Sequence, residues 1–464
     1  MGRLSNPKQK GVISAHEIVR KKTDIGEIIM QKGIEYLKRK LSQKKARADK
    51  RYDYYEMKNY VPDVDPSMPK DIKAMVSVLG WSGAAVDNLA DRLVFRTFRN
   101  DDVGANEVFD DNNSDILFDS AILGALITSC DFAYVYDSGS GLPRIQIMDG
   151  CDATGVMDLT THLLTEGYAV LERDQEKKTP ILEAYFTPES TTYIRKGEVE
   201  NVIPSKGGVT QLVPIVHRPD ARREFGRSRI SRACMSYQNG ALQAVRKSEI
   251  AAYFYSYPQR YALGFEQDDG FNKWRAAMSA MMTMGRDDQG NIPQVGQFPQ
   301  QSMTPYNDHL RMFAGLFAGE TGLTLEDMGF PLANPSSPEA IKAAHEVLRL
   351  KARKAQRGFS SSFMNIAYTA ICVRDALHYD RDIISGIKPV WEPIFEPSAS
   401  QYGAIGDAIF KINQASEGYI GPNTIYDMTG LAPEGGAADG GNSGRNTGAL
   451  EGYLGDVPGA DEEG

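Results

Sequence analysis

Apolar positions along this chain recur with two different periods, and the changes of period divide it into blocks. Between Tyr306 and Ile371 the spacing is helical, and Leu310, Phe313, Leu316 and Phe317 share one face. Gly322 and Gly329 weaken the pattern, and Phe330-Pro331-Leu332-Ala333-Asn334-Pro335 ends it. Proline has no N–H to give and pushes its predecessor toward extended backbone. Ser337-Pro338-Glu339 restarts the helix with a hydroxyl cap, a proline at the first helical position and an acid at the positive helix end. From Ile341 the stripe runs through Ala344, Leu348, Ala352, Ala355, Phe359, Phe363, Ile366 and Ala370. Only Gly358 interrupts it, and a kink is expected there. A helix of roughly forty residues spans about 60 Å and needs packing along most of its length. Two readings meet that need: a scaffold helix inside one large domain, or a helix aligned with copies of itself.

The rest of the chain carries both periods. Residues from about His16 to Arg51 read as helix, with Ile25, Ile28, Ile29, Ile34 and Leu37 as a partial stripe. From Lys32 to Arg51 nine Lys/Arg stand against Glu35 and Asp49, which reads as a solvated helix face, with phosphate contact as the alternative. Tyr52, Tyr54, Tyr55 and Tyr60 follow, and they read as a packed element end rather than a nucleic-acid surface. Further helices are expected over Ser82–Arg92 and from the Asn113-Ser114 cap. Alternation then takes over: Phe132, Tyr134 and Tyr136; Ile145 and Ile147; Tyr168 to Leu171; Ile181 to Tyr185; Thr191 to Ile194; Val199 to Ile203. These runs predict an antiparallel meander of roughly six strands, closed by Val213 to Pro219. A long helix is expected after Gly226-Arg227-Ser228, with Ser228 as its N-cap, ending before Tyr257-Pro258. A short helix bearing Phe271, Trp274, Met278, Met281 and Met282 and a Gly/Asp/Pro-rich strand region come next. Helix around Tyr402, Ile405, Ile409 and Ile412 and a short turn before Gly430 close the folded part.

Composition adds bounds. The 464 residues suffice for two or more cores, and 41% hydrophobic with 24% charged residues is ordinary for a folded soluble protein. No apolar run is long enough to span a bilayer and no secretory signal is read at the basic N-terminus. Net charge is −9, but residues 431–464 hold seven acids and one arginine, or −6, with ten of the 44 glycines. That tail reads as loosely attached or disordered. Chemistry is looked for in vain. Cys130, Cys151, Cys234 and Cys372 lack CxxC spacing, and His16, His162, His217, His309, His345 and His378 are too scattered for a metal site. There is no GxxxxGK[ST], His345-Glu346 lacks the second histidine of HExxH, and Gly226-Arg227-Ser228-Arg229-Ile230 lacks the second glycine of a nucleophile elbow. Asp287-Asp288-Gln289-Gly290-Asn291 lacks the acidic last ligand of a calcium loop and reads as a turn. No catalytic constellation, metal site or cofactor is therefore expected, and a structural or conduit role is.

The order of these elements resembles the portal proteins, or head–tail connectors, of tailed double-stranded-DNA bacteriophages, over most of the chain. Val213-Pro214-Ile215-Val216-His217-Arg218-Pro219 followed by Gly226-Arg227-Ser228-Arg229-Ile230 is similar to the family's entry to its first stem helix. Pro258-Gln259-Arg260-Tyr261-Ala262-Leu263-Gly264 resembles the passage from that helix to the clip, and Asn334-Pro335-Ser336-Ser337-Pro338-Glu339-Ala340-Ile341 the tunnel loop and the kinked helix after it. The resemblance implies an α+β, mostly helical portal fold. It would have a β-rich wing over 1–227, stem helices at 228–256 and 304–328, and a small α/β clip at 257–303. A tunnel loop at 329–337, a long kinked helix at 338–378, a helical crown at 379–430 and the acidic tail would complete it. It implies a non-enzymatic virion protein, assembled in the host cytoplasm into a ring, usually dodecameric, at one capsid vertex. Its partners would be double-stranded DNA held weakly and without sequence preference, the terminase large subunit, a head–tail adaptor, the major capsid protein and a scaffold, with no membrane. Phe330, Pro331, Leu332, Ala333, Asn334, Pro335, Ser336 and Ser337 would face DNA. Lys342, Arg349, Lys351, Arg353, Lys354 and Arg357 would meet a neighbouring subunit's acids or solvent in preference to DNA, and Phe271, Trp274, Met278, Met281 and Met282 would serve clip partners or fill the clip core. The competing classes are another capsid-associated adaptor and a DNA-processing enzyme, either a nuclease or a packaging ATPase; the missing phosphate-binding lysine argues against the ATPase.

Overall fold

A computed structural model of the chain describes residues 31–60, 77–139, 141–256, 260–263, 294–297, 302–331, 338–395 and 399–429. Helix α1 (Ile34–Tyr55) buries Leu37, Leu41, Ala48 and Tyr54. Helix α2 (Trp81–Ala90) and strand β1 (Phe95–Arg99) lead through α3 (Ala105–Asp110) to α4 (Ser114–Thr128). Strands β2 (Cys130–Asp137), β3 (Pro143–Met148), β4 (Ala153–Met157), β5 (Leu164–Arg173), β6 (Pro180–Phe186), β7 (Ser190–Arg195), β8 (Glu198–Pro204) and β9 (Leu212–Val216) follow. Then come α5 (Arg232–Ser256), the antiparallel pair β10 (Arg260–Leu263) and β11 (Gln294–Gln297), and α6 (Thr304–Thr321). Helices α7 (Pro338–Ala344) and α8 (Glu346–Asp375), strand β12 (Lys388–Trp391), α9 (Ala399–Ala415) and α10 (Pro422–Thr429) complete the chain. The mixture of helices and antiparallel sheets is α+β.

The expected single meander is two sheets. One has the order β3-β2-β9 and the other β4-β5-β6-β7-β8. The segment expected to close the meander, β9, instead lies beside β2, pairing Cys130 with Val216 and Tyr134 with Leu212. It ends its sheet, with β2 as its one strand neighbour, yet its five residues are all buried, because α8 and β5 pack against it. Strand β4, with no clear alternation, was not expected. Nor was the pairing of β1 with β12, which joins Phe95 to Trp391. An aromatic cluster holds that join: Phe95 lies 4.3 Å from Phe118, Phe118 4.5 Å from Phe363 and Phe95 5.3 Å from Trp391, between ring centres.

The basic run from Lys32 to Arg51 is solvated only in part: Lys32, Arg39, Arg47 and Lys50 are exposed, and others turn inward. Lys40 donates to the Gly155 carbonyl at 2.8 Å, and Lys44 to those of Cys130 and Ala153 at 3.2 and 3.4 Å. Arg51 donates to the Thr128 carbonyl at the end of α4, and Lys38 pairs with Glu183 at 3.2 Å. Long cationic stems cross apolar surface and deliver their heads to backbone oxygens that would otherwise be buried unmet. Two of those oxygens belong to β4, which has one strand neighbour, so α1 covers that sheet edge. At the start of the helix, the buried Glu166 carboxylate accepts from Lys32 and Gly33 N–H at 2.7 and 2.8 Å, an anion set against the positive helix end. Three of the four tyrosines pack: Tyr52 donates to Asp149 and Tyr55 to Asp87, while Tyr54 accepts from Asn239; Tyr60 is 79% exposed.

The long helix breaks at His345 (φ −88°, ψ 6°) between α7 and α8, and α8 continues unbroken through Gly358. A Cβ at Gly358 would meet only the Val216 carbonyl, 3.8 Å away. A side chain would therefore fit there in ordinary contact with β9, and the close approach does not require glycine.

Candidate functional site

Helices α5 and α6 pack side by side, and the ring of Phe313 on α6 sits where a Cβ of Gly240 on α5 would be, 2.4 Å from its nearest atom. At the base of this pair the Gly226–Ile230 motif does unexpected work. Ser228 is not the cap of α5: its hydroxyl is buried, donates to the Ile127 carbonyl at 2.6 Å and accepts from Ile230 N–H at 2.9 Å. Arg229 N–H donates to the Leu126 carbonyl at 2.8 Å. The motif thus satisfies the orphan carbonyls at the end of α4. The cap falls to Ser231, whose hydroxyl accepts from Cys234 N–H at 3.2 Å and donates to Glu320 at 2.7 Å.

Three cations gather where α6 ends. Gly322 closes α6 in the left-handed conformation (φ 75°), and Lys351 from α8 donates to the Glu320 carbonyl at 2.8 Å. Burial, then Arg229 and Arg218, pushes the Lys351 ammonium down to about 8. Burial likewise lowers the Arg229 guanidinium to about 10; its Nε donates to Ala85 O at 3.1 Å. Below them His217, wholly buried and stacked on Phe359, is pushed down to about 3 by burial. It is a neutral ring whose Nδ1 lies 2.7 Å from the Arg227 carbonyl, and so carries the proton there. Ser231, Glu320 and Arg229 escaped the sequence reading because their roles arise from contacts across long stretches of chain.

The residues after α6 turn on themselves. Asp327 accepts from the Thr324 N–H and hydroxyl at 2.7 and 2.9 Å, and Phe330 N–H donates to Leu325 O at 3.0 Å. Phe330 rests half-buried on the main core and Pro331 is exposed. Leu332, Ala333, Asn334, Pro335, Ser336 and Ser337 lie outside the described residues, as do Phe271, Trp274, Met278, Met281 and Met282. Beyond the gap, exposed Lys342 donates to Gln401 at 2.6 Å. Arg349 forms a two-toothed fork on Glu346 within its own helix, both bonds 2.6 Å. Arg353, Lys354 and Arg357 are exposed and form no ion pair among the described residues. The acidic tail lies outside the described residues.

Among the described residues no three His, Cys, Asp or Glu side chains form a group able to hold a metal ion, and no helix is long and apolar enough to cross a membrane. The chain is 22% identical over 396 residues to the portal protein of Mycobacterium phage L5, covering 79% of each. It is 23% identical over 401 residues to that of Mycobacterium phage D29, again covering 79% of each. A structure titled as the virion of a native gene transfer agent particle aligns over 76% of this chain and 90% of its own at 13% identity. Its TM-score of 0.39 is too low to establish a shared fold. A family model described as "Phage portal protein, SPP1 Gp6-like" matches residues 34–398. Portal proteins are structural, capsid-associated oligomers of the virion. With that match spanning most of its length, this chain belongs to the SPP1 Gp6-like family of phage portal proteins.

Proposed function

We propose that copies of this chain form a dodecameric ring at one capsid vertex, through which double-stranded DNA passes during packaging and ejection. In this reading residues 1–227 form the wing, α5 and α6 the stem, 257–303 the clip, 329–337 the tunnel loop, 338–378 the long helix and 379–430 the crown. Phe330 to Ser337 face the DNA. The clip, with Phe271, Trp274, Met278, Met281 and Met282, receives the terminase large subunit and later the head–tail adaptor, and the outer surface meets the major capsid protein and scaffold.

The observation that carries this reading is the turn after α6. It anchors Phe330 and leaves Pro331 exposed, beside a helix whose outer side bears Arg353, Lys354 and Arg357. A conduit must touch phosphate without gripping it, because each cation–phosphate contact adds salt-dependent affinity. The short neutral side chains of Asn334, Ser336 and Ser337 suit such weak, sequence-blind contact.

Twelve copies of 51.2 kDa give rings of about 0.6 MDa, visible by negative stain; a lone monomer at micromolar concentration would overturn the reading. Deleting Asn334 to Ser337 is expected to leave rings intact and to impair DNA packaging or retention. Rings that fail to form would make the segment a structural connector instead.

A further inference from the structure

We propose that the outer face of α8, carrying Arg353, Lys354 and Arg357, docks on the acidic face formed by Asp91, Asp115 and Asp119 of the neighbouring copy. This pairing rests on the ring assembly proposed above and names the surface by which it closes.

Helix α8 has already spent its other cations. Arg349 is held by Glu346, Lys351 closes α6, and Arg374 lies 2.8 Å from Asp375. Arg353, Lys354 and Arg357 form no ion pair among the described residues and, unlike Lys351, lie exposed. They share their side of the helix with Val347 and Leu350, 52% and 53% exposed. A face that mixes bare cations with uncovered aliphatic side chains suits a protein partner better than water.

The complement is on the same chain. Asp91 follows α2, and Asp115 and Asp119 stand one turn apart on α4 with Ile116, 73% exposed, between them. None of the three acids forms an ion pair among the described residues. The Asp119 carboxyl is raised, first by partial burial and then by Asp115 and Asp91, so like charges already crowd there. The match is geometric as well as electrostatic. Arg353 and Arg357 repeat at i,i+4, as do Asp115 and Asp119, so each pair is separated by about 6 Å along its helix. Both helices turn their apolar sides to one core, with Leu117, Phe118 and Ile122 on α4 and Leu348, Ala352, Ala355 and Phe359 on α8. Their charged sides point away from that core. Two different patches on one subunit, each complementary to the other, are what a head-to-tail contact in a closed ring requires.

The test is a charge swap in the full chain, read by mass photometry. Arg353→Glu with Arg357→Glu is expected to raise the subunit concentration for half-assembly by about tenfold or more, as is Asp115→Lys with Asp119→Lys. Both sets together are expected to restore assembly, which misfolding could not do. Because the contact is charged and partly exposed, wild-type rings are expected to loosen as salt rises from low ionic strength. A second readout uses Lys354→Cys with Ile116→Cys. The four natural cysteines are buried, so oxidation of assembled protein is expected to give a ladder of linked subunits. Failure of the double swap to rescue, or rings that give no ladder, would overturn the pairing and leave the portal reading standing. Intact rings that lose DNA on Arg353→Glu with Arg357→Glu would assign the face to DNA and overturn the pairing too. Wild-type protein that never forms rings would overturn both.

Discussion

Buried His217 makes stability depend on pH in a direction that can be worked out. Its ring is held neutral, with a folded value of about 3 against 6.5 when exposed. Between these values the unfolded chain binds the proton and the folded one does not, so stability is full above pH 6.5 and falls as pH drops toward 3. From pH 7 to pH 5 this one group accounts for about 2 kcal/mol, at about 1.4 kcal/mol per pH unit once below 6.5. Other carboxylates add their own slopes, so the informative quantity is the difference between wild type and His217→Asn. Asparagine can still donate to the Arg227 carbonyl but takes up no proton. Urea unfolding followed by far-UV circular dichroism at pH 7 and pH 5, at one subunit concentration, is the measurement. The wild type is expected to lose about 2 kcal/mol more than the variant between those pH values, even though the variant starts out less stable. Equal losses in the two proteins would refute the claim that a buried neutral imidazole ties β9 to the start of α5.

Gly226 sits at φ +70° with the His217 carbonyl oxygen 2.1 Å from where a Cβ would be. Gly226→Ala is expected to cost about 2 kcal/mol or more and lower the melting temperature. Gly315, on an exposed stretch of α6 with nothing within 4 Å of its Cβ position, is the contrast: Gly315→Ala is expected to raise stability by about 0.5–1 kcal/mol. Arg349→Ala is expected to leave ring assembly and DNA retention at wild-type levels in the same mass-photometry and packaging assays, because Glu346 already satisfies that guanidinium. A loss of either would show that the fork opens in the assembled particle.

Much of the helical framework was legible because its signal is local. The 3–4 spacing of Leu310, Phe313 and Phe317 marked α6, and Leu348, Ala352, Ala355 and Phe359 marked α8 within a turn of its observed course. What could not be read depends on partners far away in sequence. Nothing near Val213 announces that β9 lies beside β2, and nothing near Phe95 announces Trp391. Lys40 and Lys44 look like surface residues until the carbonyls of β4 are placed under them. Gly358 invited a kink by its type, yet the helix is unbroken there and the real break fell at a histidine. The site was less legible still. The positions of Phe330 and Pro331 follow from the proline break, but the cation cluster of Arg229 and Lys351 depends on how α4, α6 and α8 meet.

The five-stranded sheet is finished differently at its two borders. Ammonium groups from α1 occupy backbone acceptors along β4, while β8 is exposed along its entire length, with Val199, Val202 and Ile203 uncovered. Exposed strand borders template the addition of further strands. During synthesis, any faulty growth of this sheet would therefore proceed from one side only. A single lysine facing outward on β8 would be enough to discourage it.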